Sequence, residues 1–89
     1  MKKYSIIIAI YNEVNKLNAL LIAIKPYTEE GHEIIIIDDG SNDGSTRILK
    51  ENEFIKLLVL KGNRGKGFAI KQGLKLASNN KIIIYDGDM

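Results

Sequence analysis

Four short apolar runs, Ser5–Ile10, Ile34–Ile37, Leu57–Leu60 and Ile82–Tyr85, are separated by stretches of mixed character. Each run is continuous rather than alternating, as in strands buried on both faces of a parallel sheet. Between the first two runs, Val14, Leu17, Leu20, Leu21 and Ile24 recur at three- and four-residue steps and predict one apolar helix face. Asn12 is the expected N-cap and Pro26 the expected stop. A second, shorter helix capped by Ser45 or Asp43 is expected to turn Ile48 and Leu49 inward. A third, over about 66–78, places Ile70, Leu74 and Ala77 on one face, and Gly73 either weakens it or lets it approach the sheet closely.

The order β-α-β-α-β-α-β requires crossovers, which are almost always right-handed. The expected fold class is therefore α/β: a parallel sheet of four strands with three crossover helices. In such open sheets ligands bind beyond the carboxyl ends of the strands. The polar, acidic and glycine-rich residues fall there: Tyr11-Asn12-Glu13, then Asp38 to Ser45, then Lys61 to Gly67, then Asp86-Gly87-Asp88. The opposite edge is blander, and its lone His32 reads as a surface residue rather than a ligand or base. Lys2 and Lys3 read as a solvated terminus.

Composition bounds the remaining choices. The 89 residues, 45% hydrophobic and 27% charged, suit one globular domain with a small core. A net charge of +2 with mixed signs gives no argument for nucleic acid or an anionic membrane. The chain has no cysteine, so disulfides and thiolate metal sites are excluded; this fits the cytoplasm. The apolar start is too short and too β-branched for a signal peptide, and no segment approaches the ~20 apolar residues of a membrane span.

Two carboxylates one residue apart at a strand end, Asp86 and Asp88, can share a hard cation such as Mg2+ or Mn2+ with substrate phosphates; Asp-Gly is also a common turn. Asp39 begins what looks like a calcium loop, but the twelfth position is Lys50 and that reading fails. What remains is an acidic loop in which Asp39 can accept hydrogen bonds from a base or ribose, while Asp43 and Ser45 cap a helix. Gly62–Gly67, with Arg64 and Lys66, precedes a helix and suits either a diphosphate or a plain left-handed turn; it is neither a Walker motif nor a dinucleotide fingerprint. Tyr11 can stack on a base or close the core. Glu13 can serve the ligand or simply favour the helix dipole.

Together, Ser5-Ile6-Ile7-Ile8-Ala9-Ile10-Tyr11-Asn12-Glu13, Ile34 to Ser41, Asn63-Arg64-Gly65-Lys66-Gly67 and Ile84-Tyr85-Asp86-Gly87-Asp88 resemble family 2 glycosyltransferases of the GT-A fold, in particular the polyprenyl-phosphate and dolichol-phosphate sugar transferases. The resemblance covers essentially all of residues 1–89. It implies a Rossmann-like N-terminal half of that fold, truncated one residue past Asp88. It implies a nucleoside diphosphate sugar (UDP- or GDP-sugar) held by Ala9, Tyr11, Glu13, Ile37, Asp39, Lys66, Asp86, Gly87 and Asp88. Asp86 and Asp88 would carry Mg2+ or Mn2+, and displacement at the anomeric carbon would release the nucleoside diphosphate. Ala9 departs from the proline usual in the family. No catalytic residue is assigned within the chain, because the acceptor-binding half, any base and any membrane anchor would lie further on. A full-length parent would then act at the cytoplasmic face of a membrane, whereas this chain alone is expected not to transfer sugar efficiently. The fourth strand is expected to pair with the first and leave an apolar edge that invites self-association. A binding module without catalysis is the alternative. A nucleotidyltransferase-like enzyme fits less well, because the loop after the first strand is acidic. A response-regulator receiver also fits poorly, because Lys61 stands where its phosphoacceptor Asp belongs.

Overall fold

The computed structural model describes residues 2–86. The elements run β1 (Tyr4–Ile10), α1 (Val14–Glu29), β2 (Glu33–Asp38), α2 (Ser45–Lys50), β3 (Lys56–Val59), α3 (Lys66–Leu76) and β4 (Lys81–Asp86). All three strand pairings are parallel, and the sheet order is β3-β2-β1-β4. The α/β class and the pairing of the fourth strand with the first are as expected. The two central strands carry the continuous isoleucine runs: Ile7, Ile8, Ile35, Ile36 and Ile37 are fully enclosed. Burying each such side chain stabilises by about 1.5–3 kcal/mol. The outer strands are less covered, and on β4 Ile83 and Ile84 are 43% and 53% exposed.

Alternation along the strands splits the core in two. On one face Ile6, Ile8, Ile10, Ile34 and Ile36 pack against Leu17, Leu20, Leu21 and Ile24 of α1 and Leu49 of α2. On the other, Ile7, Ile35 and Ile37 pack against Ala69 of α3. This second layer corrects the expected face of the third helix. Its buried positions are Ala69 and Gly73, while Leu74 is 45% exposed. The cause is proximity: a Cβ on Gly73 would stand 2.5 Å from Ile7 Cγ2. A helix that close to the sheet meets it through small residues, and larger ones are displaced to its flanks.

Two helix boundaries also differ from expectation. Pro26 lies inside α1, which continues to Glu29. The carbonyl that loses its partner belongs to Ile22, which is 75% exposed and turned to solvent, and the Pro26 carbonyl accepts the amide of Glu30 at 3.1 Å. The residue at the N-cap of α1 is Glu13, not Asn12, and its side chain makes no capping bond.

The edge away from the strand carboxyl ends is held by Glu33. It accepts Ser5 Oγ at 2.6 Å, Lys56 Nζ at 2.5 Å and the Ser78 amide at 2.8 Å, joining three strands to the end of α3. Partial burial pushes its carboxyl up, but the bonds from Lys56, Ser5 and Ser78 outweigh that and bring its pKa to about 2. His32 is not a surface residue. Its side chain is 12% exposed, its ring lies 5.3 Å from that of Tyr4, and Nδ1 accepts the Tyr4 amide at 3.0 Å.

Candidate functional site

The ends of β1, β2 and β4 reach the same rim. Ala9 is in register with Ile37 on one side and Asp86 on the other, and Ile10 with Asp38. Past the strands the ladder continues for one bond on each side of β2, Asp39 N to Ile10 O and Leu60 N to Asp38 O, both 2.8 Å. Three loops are thereby drawn to one place.

Consecutive residues in extended backbone point to opposite faces, and the adjacent aspartates use this. Asp38, fully buried, accepts the Ser41 amide at 3.0 Å and the Thr46 hydroxyl, tying down the loop that enters α2. Asp39, 3% exposed, serves the loop that enters α3. Its Oδ1 accepts the Arg64 amide at 2.7 Å, and its Oδ2 accepts the Gly65 amide at 2.9 Å and Asn63 Nδ2 at 3.0 Å. Successive amides curled round an anion form the kind of nest that binds phosphate elsewhere. Here the anion is the chain's own carboxylate, so the amides of Arg64 and Gly65 are already engaged.

Asp43 joins two helix starts. Its Oδ1 accepts the Ser45 amide at 3.0 Å and Ser45 Oγ at 2.6 Å, and its Oδ2 accepts the amide of Val14, the first residue of α1, at 3.0 Å. The Ser45 hydroxyl chiefly lowers its pKa; desolvation works against this, and the amides of Ser45 and Val14 add to the lowering. The N-cap of α2 is Gly44, not Ser45 or Asp43 as expected, and Asp43, one residue earlier, instead takes the first amides of both α2 and α1. The loop after β1 is fastened to the loop after β2 by Asn12. Its amide donates to Ser41 Oγ at 2.9 Å, and its Oδ1 accepts the Asn42 amide at 2.8 Å.

Between these loops opens a cavity of about 270 Å³ lined by Ala9, Ile10, Tyr11, Asp39, Asn63, Gly65 and Lys66. Four residues singled out in the sequence, Ala9, Tyr11, Asp39 and Lys66, therefore share one wall system. Tyr11 is 43% exposed at its mouth, and Lys66 starts α3. Ile37 is not a lining residue: although in register with Ala9, its side chain is wholly buried in the layer beneath α3. Glu13 also lies outside the lining, with Oε2 3.8 Å from Lys16 Nζ. Gly87 and Asp88 lie outside the described residues. The sequence reading missed Asn63, Gly65 and Ile10 as lining residues. The glycine at 65, with φ of +100°, was the signal for a turn that bends the loop over the cavity. Arg64 is drawn aside, its guanidinium 4.2 Å from the centre of the Phe68 ring.

Among the described residues, no three His, Cys, Asp or Glu are gathered as a cation cage. No helix among them is long and apolar enough to cross a membrane.

A loop-built cavity at the carboxyl rim of a parallel sheet lies where ligands bind in open α/β folds. Residues 5–89 match the model of glycosyl transferase family 2, and the chain belongs to that family. It is 38% identical over 98 residues to an undecaprenyl-phosphate 4-deoxy-4-formamido-L-arabinose transferase of Yersinia pestis, covering 100% of this chain and 30% of that protein. It is 32% identical over 94 residues to the glycosyltransferase YkcC of Bacillus subtilis, covering 98% of this chain and 29% of that one. The chain thus spans under a third of the length of these relatives. Among solved structures, the mannosyltransferase PcManGT of Pyrobaculum calidifontis, in complex with GDP-Man and Mn2+, superposes with a TM-score of 0.74 at 24% identity, over 97% of this chain and 27% of that one. Residues 1–349 of TarS from S. aureus superpose at 0.81 and 24% identity, with the same coverage of each chain. At these identities the likeness concerns the fold.

Proposed function

We propose that this chain is the nucleotide-sugar-binding part of a glycosyltransferase. On this reading it holds a nucleoside diphosphate sugar (UDP- or GDP-sugar) at the carboxyl rim, and the whole protein transfers the sugar to an acceptor such as a polyprenyl phosphate. The observation that carries the reading is the shared cavity of Ala9, Tyr11, Asp39 and Lys66, with Asp86 in register beside Ala9. Tyr11 offers a ring face for the base. Asp39, nearly enclosed, fixes the loop that leads into Lys66, whose ammonium suits a phosphate. Family membership and the GDP-Man bound to PcManGT support the ligand class.

The donor chemistry at the rim fits a hard divalent cation only as a shared site. The carboxylates of Asp38, Asp39 and Asp43 are taken by donors of the chain itself. Asp86 stands at the strand end, and Asp88 follows two residues on. Two carboxylates leave most of an octahedral shell to phosphate and water, as Mg2+ or Mn2+ prefers. Bound there, the ion would offset the charge that grows on the departing diphosphate. Asp38, Asp39 and Asp43 are committed to structure and Asp86 and Asp88 to the cation, which on this reading makes the chain a binding element, with proton transfer and acceptor recognition left to the rest of the protein.

Titration calorimetry with UDP- and GDP-sugars, with and without Mn2+, tests the proposal. Metal-dependent binding of one of them is expected. Absence of binding for both, with the chain shown folded, would refute it. Robust sugar transfer by the 89-residue chain would overturn the division of labour.

A further inference from the structure

Asn12 is the one described non-glycine residue in the left-handed region, with φ of +50°. That conformation costs roughly 1–2 kcal/mol for most side chains and less for asparagine. It persists where the surroundings over-determine it. Here the surroundings are two hydrogen bonds to one neighbouring loop: Asn12 N to Ser41 Oγ at 2.9 Å, and Asn42 N to Asn12 Oδ1 at 2.8 Å. The partner loop is itself anchored, since Ser41 N donates to buried Asp38, and Asp43 accepts from both Ser45 and Val14. Asn12 does not line the cavity, but its neighbour Tyr11 does.

We infer that Asn12 is a positioning residue. Its left-handed backbone and its amide clasp the β1–α1 loop to the β2–α2 loop, and this fixes Tyr11 at the mouth of the cavity. The turn at Asn12 reverses the chain between the end of β1 and the start of α1. Tyr11 is thereby held from both sides, by the end of β1 before it and by the clasped Asn12 after it. The inference rests on the proposed nucleotide site for its effect on affinity, but the clasp itself exists without any ligand.

Two readouts keep these apart. In the ligand-free chain, NMR hydrogen exchange should show the Asn42 amide protected. Asn12→Ala should abolish that protection and shift the Tyr11 amide. Asn12→Asp, which keeps an acceptor oxygen and tolerates positive φ, should retain protection. Asn12→Gly keeps the turn but lacks the acceptor, so it should lose Asn42 protection with little change at Tyr11; this variant also serves if Asn12→Ala fails to fold. With Mn2+ and GDP or UDP as probes, Asn12→Ala should weaken binding by about tenfold, the factor by which a loop ordered only about a tenth of the time dilutes affinity. In a Tyr11→Ala background the same change should have almost no effect, because its action passes through Tyr11. Unchanged Asn42 exchange in Asn12→Ala overturns the clasp, whatever the nucleotide result. An equal loss of affinity with and without Tyr11 overturns the positioning role. If the wild type binds neither nucleotide while exchange behaves as described, the clasp stands and the proposed function falls.

Discussion

Gly73→Ala separates two forces that act in opposite directions on α3. In an exposed helix interior, this change stabilises by about 1 kcal/mol through helix propensity. At position 73 the new methyl would sit 2.5 Å from Ile7 Cγ2 and 3.5 Å from Ile37 Cγ1. Neither atom has room to move. Ile7 and Ile37 are fully buried in the central strands, and Ile7 Cγ2 is a branch at Cβ, not the end of a flexible chain. Over-packing of this kind costs about 1–3 kcal/mol. The contact is well inside van der Waals distance, so the upper part of that range applies, and the net effect is destabilisation by about 1–2 kcal/mol. Urea denaturation followed by circular dichroism should show a lower midpoint with an unchanged slope. Ile7→Ala removes the clashing methyl and alone should cost about 2–5 kcal/mol. The double variant should then be less destabilised than the sum of the two single variants by about 1 kcal/mol or more. Stabilisation by Gly73→Ala, or simple additivity with Ile7→Ala, would refute the close approach of α3 to the sheet.

Glu33 has a folded pKa of about 2 against an ordinary 4.5, so its stabilisation is complete above pH 4.5 and is lost as the pH falls through the range between the two values. The full shift corresponds to about 3 kcal/mol, and solvent screening at the sheet edge reduces this to roughly 1–2 kcal/mol. Glu33→Gln should therefore be less stable than wild type at neutral pH, and the gap should narrow in melts taken down to the acid limit. Gly40→Ala places a methyl 2.6 Å from Gly62 Cα at φ of +78°, so it should cost about 2–4 kcal/mol. Gly62→Ala, with φ of +74° and open space around it, should cost only about 1–2 kcal/mol in the same denaturation assay. Chelation with EDTA, or Asp88→Asn, should weaken nucleotide-sugar binding by more than about tenfold in calorimetry, provided the shared cation carries the diphosphate charge.

The fold was legible because the strands announce themselves as continuous runs, and because Leu17, Leu20, Leu21 and Ile24 repeat at helical spacing. The face of α3 was not legible. Hydropathy favoured Leu74, but glycine at 73 sets the depth at which the helix lies, and depth selects the contact stripe. Of the site, Tyr11, Asp39 and Lys66 could be named from their place after strands, since topology delivers those loops to one rim. Ile37 could not be separated from them, because it stands level with Ala9 in the sheet and only the cover of α3 takes its side chain out of the cavity wall. Asn12 gave a misleading signal: asparagine suits both an N-cap and a left-handed turn, and only its partners in a distant loop show which applies. His32 looked solvent-facing because it is alone in the sequence, yet Tyr4 and Tyr27 enclose it from two other elements.

The paired aspartates at the end of β2 have a consequence for how such a rim can change over time. One faces the layer of α1 and α2, the other the layer of α3, and each fastens the loop on its own side. Any replacement there loosens an entire loop before it alters a single ligand contact. Variation in what the rim accepts is therefore channelled to the mouth, where Tyr11, 43% exposed, can be exchanged while the scaffold behind it stays intact.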